Sequence, residues 1–211
     1  MKLYHEVRGC SLAVDIVARE LGIPLKLEWV DMHAKRLRDG SDYLCVNSKG
    51  TVPTLELGDG RRLTESVVIM QYLADEHGSG RLLPPCGTFA RLRVLEWMSF
   101  IAADLHKGGF MPLFKKDTPA EYREIAKRNV RVRLAWLDSH LTARKYLEGQ
   151  EFTIADAHCY TIAGWARIHD IHTSDWRGLE RYLARIASRP SVVAAERAAL
   201  EQRERDRRSA K

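Results

Sequence analysis

The sequence predicts an α/β domain of βαβ-ββα order followed by an all-α domain, and three observations carry that prediction. Up to about residue 77, short alternating apolar runs are interleaved with stretches of helical spacing. Residues 78–87, His-less and rich in Gly and Pro, hold no regular helix and read as a linker. From residue 88 onward one helical pattern follows another, which places an all-helical domain at 88–203 and a basic tail at 204–211.

Taken in order, Lys2-Leu3-Tyr4 is a minimal strand. Ser11 to Leu21 has helical spacing and is closed by Gly22 and Pro24, and Leu25 to Val30 alternates as a second strand. Strand, helix and strand within so short a span make a βαβ unit, so the two strands are expected to run parallel with a right-handed crossover. Val52 to Leu57, the turn Gly58-Asp59-Gly60 and Arg61 to Thr64 read as a hairpin. Glu65 to Glu76 then places Val68, Ile69, Tyr72 and Leu73 on one helical face. That order, βαβ then ββα over residues 1–77, is the order of a thioredoxin-like domain. Further helices are expected at Thr88 to about Lys107, Pro119 to Leu141, Thr153 to Ile168, Leu179 to Ser188 and Ser191 to about Arg203. Thr153 and Asp156 have the spacing of a capping box, a structural signal.

Composition narrows the function. The chain has 211 residues, 45% of them hydrophobic, which is enough for a substantial core. No apolar run approaches the ~20 residues of a membrane span, and the N-terminus turns polar too soon for a signal peptide, so a cytoplasmic protein is expected. Cys10, Cys45, Cys86 and Cys159 are scattered with no C-x-x-C pair, which fits neither a disulfide framework nor a zinc site. The net charge of +6 is partly local, since Arg203 to Lys211 carries five basic residues and two acidic ones. That tail has no aromatic residue among its cations, which argues against nucleic acid as a partner.

Cys10 is the most informative residue. It directly precedes a predicted helix, where unpaired backbone N–H groups and the positive end of the dipole favour thiolate over thiol. Local sequence leaves two readings: a nucleophile or redox centre, and a small apolar residue packed in a tight turn.

Several segments tip that balance. Met1-Lys2-Leu3-Tyr4, Gly9-Cys10-Ser11-Leu12-Ala13, Asp42-Tyr43, Asn47, Lys49-Gly50, Val52-Pro53, Leu63-Thr64-Glu65-Ser66, Gln71 to Asp75, Leu95-Glu96-Trp97, Leu105-His106-Lys107 and Phe152 to Asp156 are similar to the beta class of bacterial glutathione transferases. The resemblance runs from Met1 to about Ala199. It implies the glutathione transferase fold, a cytoplasmic homodimer, and an enzyme with glutathione as co-substrate, no cofactor, no metal, and neither membrane nor nucleic-acid partners. It also implies a glutathione site. Glu65 and Ser66 hold the γ-glutamyl end, the backbone of Val52 beside a cis Pro53 pairs with the cysteinyl part, and Lys35 reaches the glycyl carboxylate. Thr51, Ser99, His106 and Lys107 complete the set, and Cys10 lies beside the glutathione sulfur with Ser11 and His106 as further candidate catalytic groups. Each has a plainer reading as well: Lys35 as part of a solvated basic face, Glu65 and Ser66 or Ser11 as helix caps, His106 as a buried residue. The steps linking Leu92, Leu95, Ser99, Ala102 and His106 put that histidine on a predicted inward face.

Where a thioredoxin C-x-x-C would have its second cysteine, the chain has Ala13, so a mixed disulfide at Cys10 must be released by glutathione itself. The sequence departs from the class at Glu6-Val7-Arg8-Gly9, where Arg8 sets a cation beside Cys10, and at His5, Ser48, Ser99 and Ala103. The function expected is conjugation of glutathione to hydrophobic electrophiles, or glutathione-dependent thiol–disulfide exchange through Cys10. The alternatives are a non-catalytic ligand- or partner-binding relative of that fold, and a specialised glutathione-dependent dehalogenase or lyase.

Overall fold

The computed structural model of the protein describes residues 1–7 and 9–209, with only the helical backbone for 205–209. Arg8, Ala210 and Lys211 therefore lie outside the described residues, as do the side chains of 205–209 in the basic tail. Contacts divide the chain into two compact units, Met1–Ser79 with Arg189–Lys211, and Gly80–Ser188.

In the first unit β1 (Lys2–His5), α1 (Ser11–Glu20) and β2 (Lys26–Asp31) form the expected βαβ, with β1 and β2 parallel. β4 (Thr54–Glu56) and β5 (Arg62–Thr64) form the expected hairpin, and β4 runs antiparallel to β1. A two-residue strand, β3 (Arg36–Leu37), extends the sheet beyond β2 to give the order β3-β2-β1-β4-β5. The helix α2 (Ser66–His77) follows. Leu3, Val14, Ile16, Val17, Val30, Leu55, Ile69 and Leu73 are fully buried, so the core lies between the sheet and its helices. At the end of α1, Gly22 adopts a φ of 71°. The amide of Ile23 then reaches the carbonyl of Ala18 at 2.8 Å and that of Gly22 the carbonyl of Arg19 at 3.2 Å, which closes the helix as a Schellman motif.

The last helix, α8 (Pro190–Ser209), packs on α1 and belongs to this unit. The sequence reading places it in the helical domain at 88–203, because periodicity reports that a helix is amphipathic and not which surface covers it.

The second unit holds α3 (Phe89–Phe100), a π-helix (Ile101–Phe110), α4 (Met111–Phe114), α5 (Ala120–Leu141), α6 (Ile154–Ala163) with a 3-10 extension (Gly164–His169), and α7 (Arg177–Ala187). The predicted linker is partly built into it. Leu83 is buried, the carbonyl of Leu82 accepts from the amide of Ile154 at 3.0 Å, and Arg91 donates to the carbonyl of Pro84 at 3.1 Å.

Burial along α3 corrects the predicted inward face. Leu92 and Ser99 are exposed, whereas Val94, Trp97, Met98, Ile101, Leu105 and His106 are buried. The buried residues Val94, Trp97, Met98, Ile101 and Leu105 are themselves three and four apart, so the sequence offers two stripes of helical spacing and the fold covers this one. Gly108 and Gly109 permit the close turn of the π-helix: a Cβ on Gly109 would stand 3.0 Å from the carbonyl oxygen of Asp104.

The capping box at the start of α6 is present. Asp156 also does more than cap. Fully buried, its carboxylate accepts from the amide of Leu147 at 2.9 Å, the amide and hydroxyl of Thr153 at 2.9 Å each, and the hydroxyl of Tyr182 at 3.0 Å, which ties a loop, α6 and α7 together. Burial nevertheless pushes its carboxyl above the ordinary range.

Candidate functional site

The residues expected to act together in the first unit converge on one loop, residues 47–53. Cys10 is the N-cap of α1 and is buried, and its Sγ–H donates to the carbonyl of Val52 at 3.6 Å. Ala13, two residues into the helix beyond Ser11, is fully buried and offers no second thiol. None of the four cysteines is in a disulfide. The Val52–Pro53 bond is cis, as the resemblance implies.

Lys35 reaches the same loop from the other direction. Its backbone lies in the left-handed region, with a φ of 55°, and its ammonium donates to the carbonyl of Gly50 at 2.8 Å. A φ in that region is uncommon outside glycine, so the neighbouring contacts hold Lys35 there. The amide of Tyr43 donates to the Lys35 carbonyl at 2.9 Å, which is one such contact.

Glu65 is the N-cap of α2 with a φ of 69°, and Ser66, the first residue of the helix, is buried. This puts the free N–H groups of the first turn of α2 beside Ser66, a suitable place for a carboxylate. The carboxylate of Glu65 meets the ammonium of Lys49 at 3.0 Å, and that ammonium also donates to the hydroxyl of Thr64 at 2.8 Å. Thus Cys10, Lys35, Glu65 and Ser66 are linked through Gly50, Val52 and Lys49.

What shapes the loop was not legible as function in the sequence. The carbonyl of Thr51 accepts from the hydroxyl of Tyr43 at 2.7 Å and from the side-chain Nδ2 of Asn47 at 2.8 Å; both donors also lie within 3.2 Å of the Thr54 hydroxyl. Tyr43, Asn47 and Thr54 are all buried, and burial holds the Tyr43 phenol above its ordinary pKa, so it remains a neutral donor. Thr51 therefore contributes a carbonyl whose bonds are directed inward.

Ser11 differs from its expected part. Its hydroxyl donates to the carbonyl of Glu6 at 3.1 Å and accepts from the amide of the same residue at 3.3 Å, so it locks the 6–11 turn in both directions. That geometry favours the structural reading over donation to a thiolate.

Ser99, His106 and Lys107 stand in the second unit. Ser99 is exposed on α3, Lys107 is exposed, and His106 is buried with its ring edge-on to Trp165 at 5.0 Å. Phe110, Phe114 and His169 continue this aromatic cluster. Behind it lies His158, fully buried, with neither ring nitrogen hydrogen-bonded. Burial, together with the charge that His106 can carry, pushes its pKa down to about 3. Among the described residues no cluster of three or more His, Cys, Asp or Glu could hold a metal, and no helix is long and apolar enough to cross a membrane.

The first unit is a thioredoxin-like domain with a thiol at the first helix start and a cis-Pro loop, and a helical unit follows it in the chain. The comparisons with known proteins make this specific. The N-terminal domain family of the glutathione S-transferases matches residues 9–76, and their C-terminal domain family matches residues 101–190. The chain is 42% identical over 195 residues to glutathione S-transferase GstA of Escherichia coli O157:H7, an alignment covering 92% of this chain and 96% of that one. A beta class glutathione S-transferase structure from Sphingomonas chungbukensis superposes with a TM-score of 0.91 at 37% identity, covering 94% of this chain and 98% of the other. A sphingomonad glutathione S-transferase solved in complex with glutathione gives 0.90 at 37% identity, with the same coverage of 94% and 98%. The chain belongs to the glutathione S-transferase family.

Proposed function

We propose that the protein is a glutathione transferase that joins glutathione to hydrophobic electrophiles in the cytoplasm. The observation that carries this reading is the convergence of Cys10, Lys35 and Glu65 on the 47–53 loop. A γ-glutamyl carboxylate would take the N–H groups at the start of α2, with Glu65 on the amino group; the extended cysteinyl part would pair with the Val52 backbone; and the glycyl carboxylate would lie by Lys35. In conjugation the glutathione thiol gives its proton to solvent, and the thiolate sulfur forms a bond to an electrophilic carbon as the leaving group departs with its electron pair. The positive end of α1 favours that thiolate near Cys10.

A second reading is favoured by the solitary thiol. Cys10 as thiolate attacks glutathione disulfide or a glutathionylated thiol, forms a mixed disulfide and expels the partner thiolate; a second glutathione thiolate then attacks and regenerates Cys10. With Ala13 in the resolving position, glutathione is the reductant. The roles expected of Ser99, His106 and Lys107 rest on the resemblance to the beta class, and His106→Ala tests one of them through the KM for glutathione. A homodimer is part of the proposal, supported by the exposed apolar residues Ile125, Val132 and Trp136 along one face of α5.

The test is retention on glutathione-agarose, followed by intact mass after incubation with oxidised glutathione. Peptide mapping is expected to place a glutathione adduct on Cys10 in the parent and none at that position in Cys10→Ala; adducts on the exposed Cys45 and Cys86 do not bear on the reading. A protein that is neither retained nor modified overturns the glutathione reading.

A further inference from the structure

Lys49 has no part in the contacts assigned to glutathione, yet its ammonium bridges two residues at the start of α2. It donates to Oε1 of Glu65 at 3.0 Å and to the hydroxyl of Thr64 at 2.8 Å. Its backbone is set from the loop side. The Lys49 amide donates to Oδ1 of Asn47 at 3.1 Å, and the buried Asn47 is itself bonded through Nδ2 to the Thr51 carbonyl at 2.8 Å. The side chain therefore spans from an anchored turn to the junction of β5 and α2.

Glu65 has two places to go. As the N-cap of α2 it stands at the positive end of that helix, whose first-turn N–H groups attract a carboxylate. It nevertheless makes no side-chain cap. Lys49 holds it instead, and through one oxygen: Oε2 has no hydrogen-bond or ion-pair partner among the described residues. A Glu65 carboxylate that swung onto the helix start would occupy the N–H groups that the γ-glutamyl carboxylate needs, and would repel that carboxylate as well.

The charges point the same way. Two carboxylates, that of Glu65 and the γ-glutamyl one, would meet at the start of α2, and the substrate brings one ammonium. Lys49 supplies the second, so the four charges cancel; without it the group is left with a net negative charge.

We propose that Lys49 is a positioning residue for glutathione, which by holding Oε1 of Glu65 keeps that carboxylate off the start of α2 and presents Oε2 to the γ-glutamyl ammonium. This role rests on the glutathione reading given above, since Lys49 acts through Glu65.

Calorimetric titration of the full chain with S-methylglutathione, whose blocked thiol cannot form a disulfide with Cys10, tests it. Lys49→Met is expected to weaken binding about fivefold, the scale of a half-exposed charge contact, and Lys49→Arg to restore it to within about twofold of the parent. In a Glu65→Gln background, Lys49→Met should change the affinity by less than about twofold, whereas a lysine that merely stiffens the loop would cost the same in both backgrounds. A Lys49→Met variant that binds as tightly as the parent, an equal loss in the Glu65→Gln background, or a Lys49→Arg variant no tighter than Lys49→Met overturns the proposal alone. A parent protein that binds no S-methylglutathione overturns the glutathione reading, and this role with it.

Discussion

Glu20 and Arg189, 169 positions apart, form a two-pronged ion pair: Nε meets Oε1 at 2.7 Å and Nη2 meets Oε2 at 2.8 Å. The hydroxyl of Ser191 binds the same carboxylate. This carboxylate, mostly buried, sits at the N-terminal end of α8, where the helix dipole favours it. Glu20→Gln keeps the shape and removes the charge, and it is expected to cost about 2 kcal/mol in urea unfolding, because Arg189 is left without its counter-charge. A loss below about 0.5 kcal/mol would show the pair to be a solvated surface contact.

Ser11→Ala removes one hydroxyl that serves both the amide and the carbonyl of Glu6. The expected loss is about 1 kcal/mol of stability by chemical denaturation, the worth of the bond to the half-buried Glu6 amide, since the Glu6 carbonyl keeps the amide of Gly9 at 3.0 Å. A variant as stable as the parent would return Ser11 to the list of candidate thiolate donors.

His158 predicts a pH dependence of stability. Its pKa lies near 3 in the folded protein and about 6.5 in the unfolded chain, so protons bind more strongly to the unfolded state. The contribution is fully present above pH 6.5 and is lost as pH falls toward 3, reaching about 2 kcal/mol by pH 5. His158→Phe replaces both unpartnered nitrogens by carbon and should flatten this part of the curve. Parallel curves for parent and variant between pH 7 and 5 would refute the assignment.

Gly109→Ala would set a Cβ 3.0 Å from the carbonyl oxygen of Asp104 and 3.1 Å from Val130 Cγ2. Crowding of about 1–3 kcal/mol outweighs the gain of about 1 kcal/mol that alanine brings to a helix, so the melting temperature should fall. Gly108→Ala, exposed and 3.1 Å from the Ala103 carbonyl oxygen, should fall less; a greater loss there would place the constraint elsewhere.

Much of the fold was legible because it is written in local periods. The parallel pairing of β1 and β2, the hairpin of β4 and β5 and the Thr153–Asp156 cap each follow from spacing within a short stretch. β3 was not legible, since two residues cannot display alternation. The inward face of α3 runs through Val94, Trp97 and Met98 instead of Leu92 and Ser99; both sets have helical spacing, and only packing decides which one is covered. At the site, Cys10 is conspicuous as a residue type at a helix start. Tyr43, Asn47 and Thr54 look like ordinary loop and strand residues, and their joint hold on Thr51 exists only after folding. The Lys49–Glu65 pair was hidden for the same reason.

The placement of α8 has a consequence for how the chain is made. The first unit is assembled from two separated stretches, with the helical unit between them. A ribosome delivers Gly80–Ser188 in full before the segment that covers α1 has been translated, so the sheet domain is the first begun and the last finished. Until Ala195 and Ala199 arrive against Leu12 and Leu27, that flank of the nascent domain remains open to water.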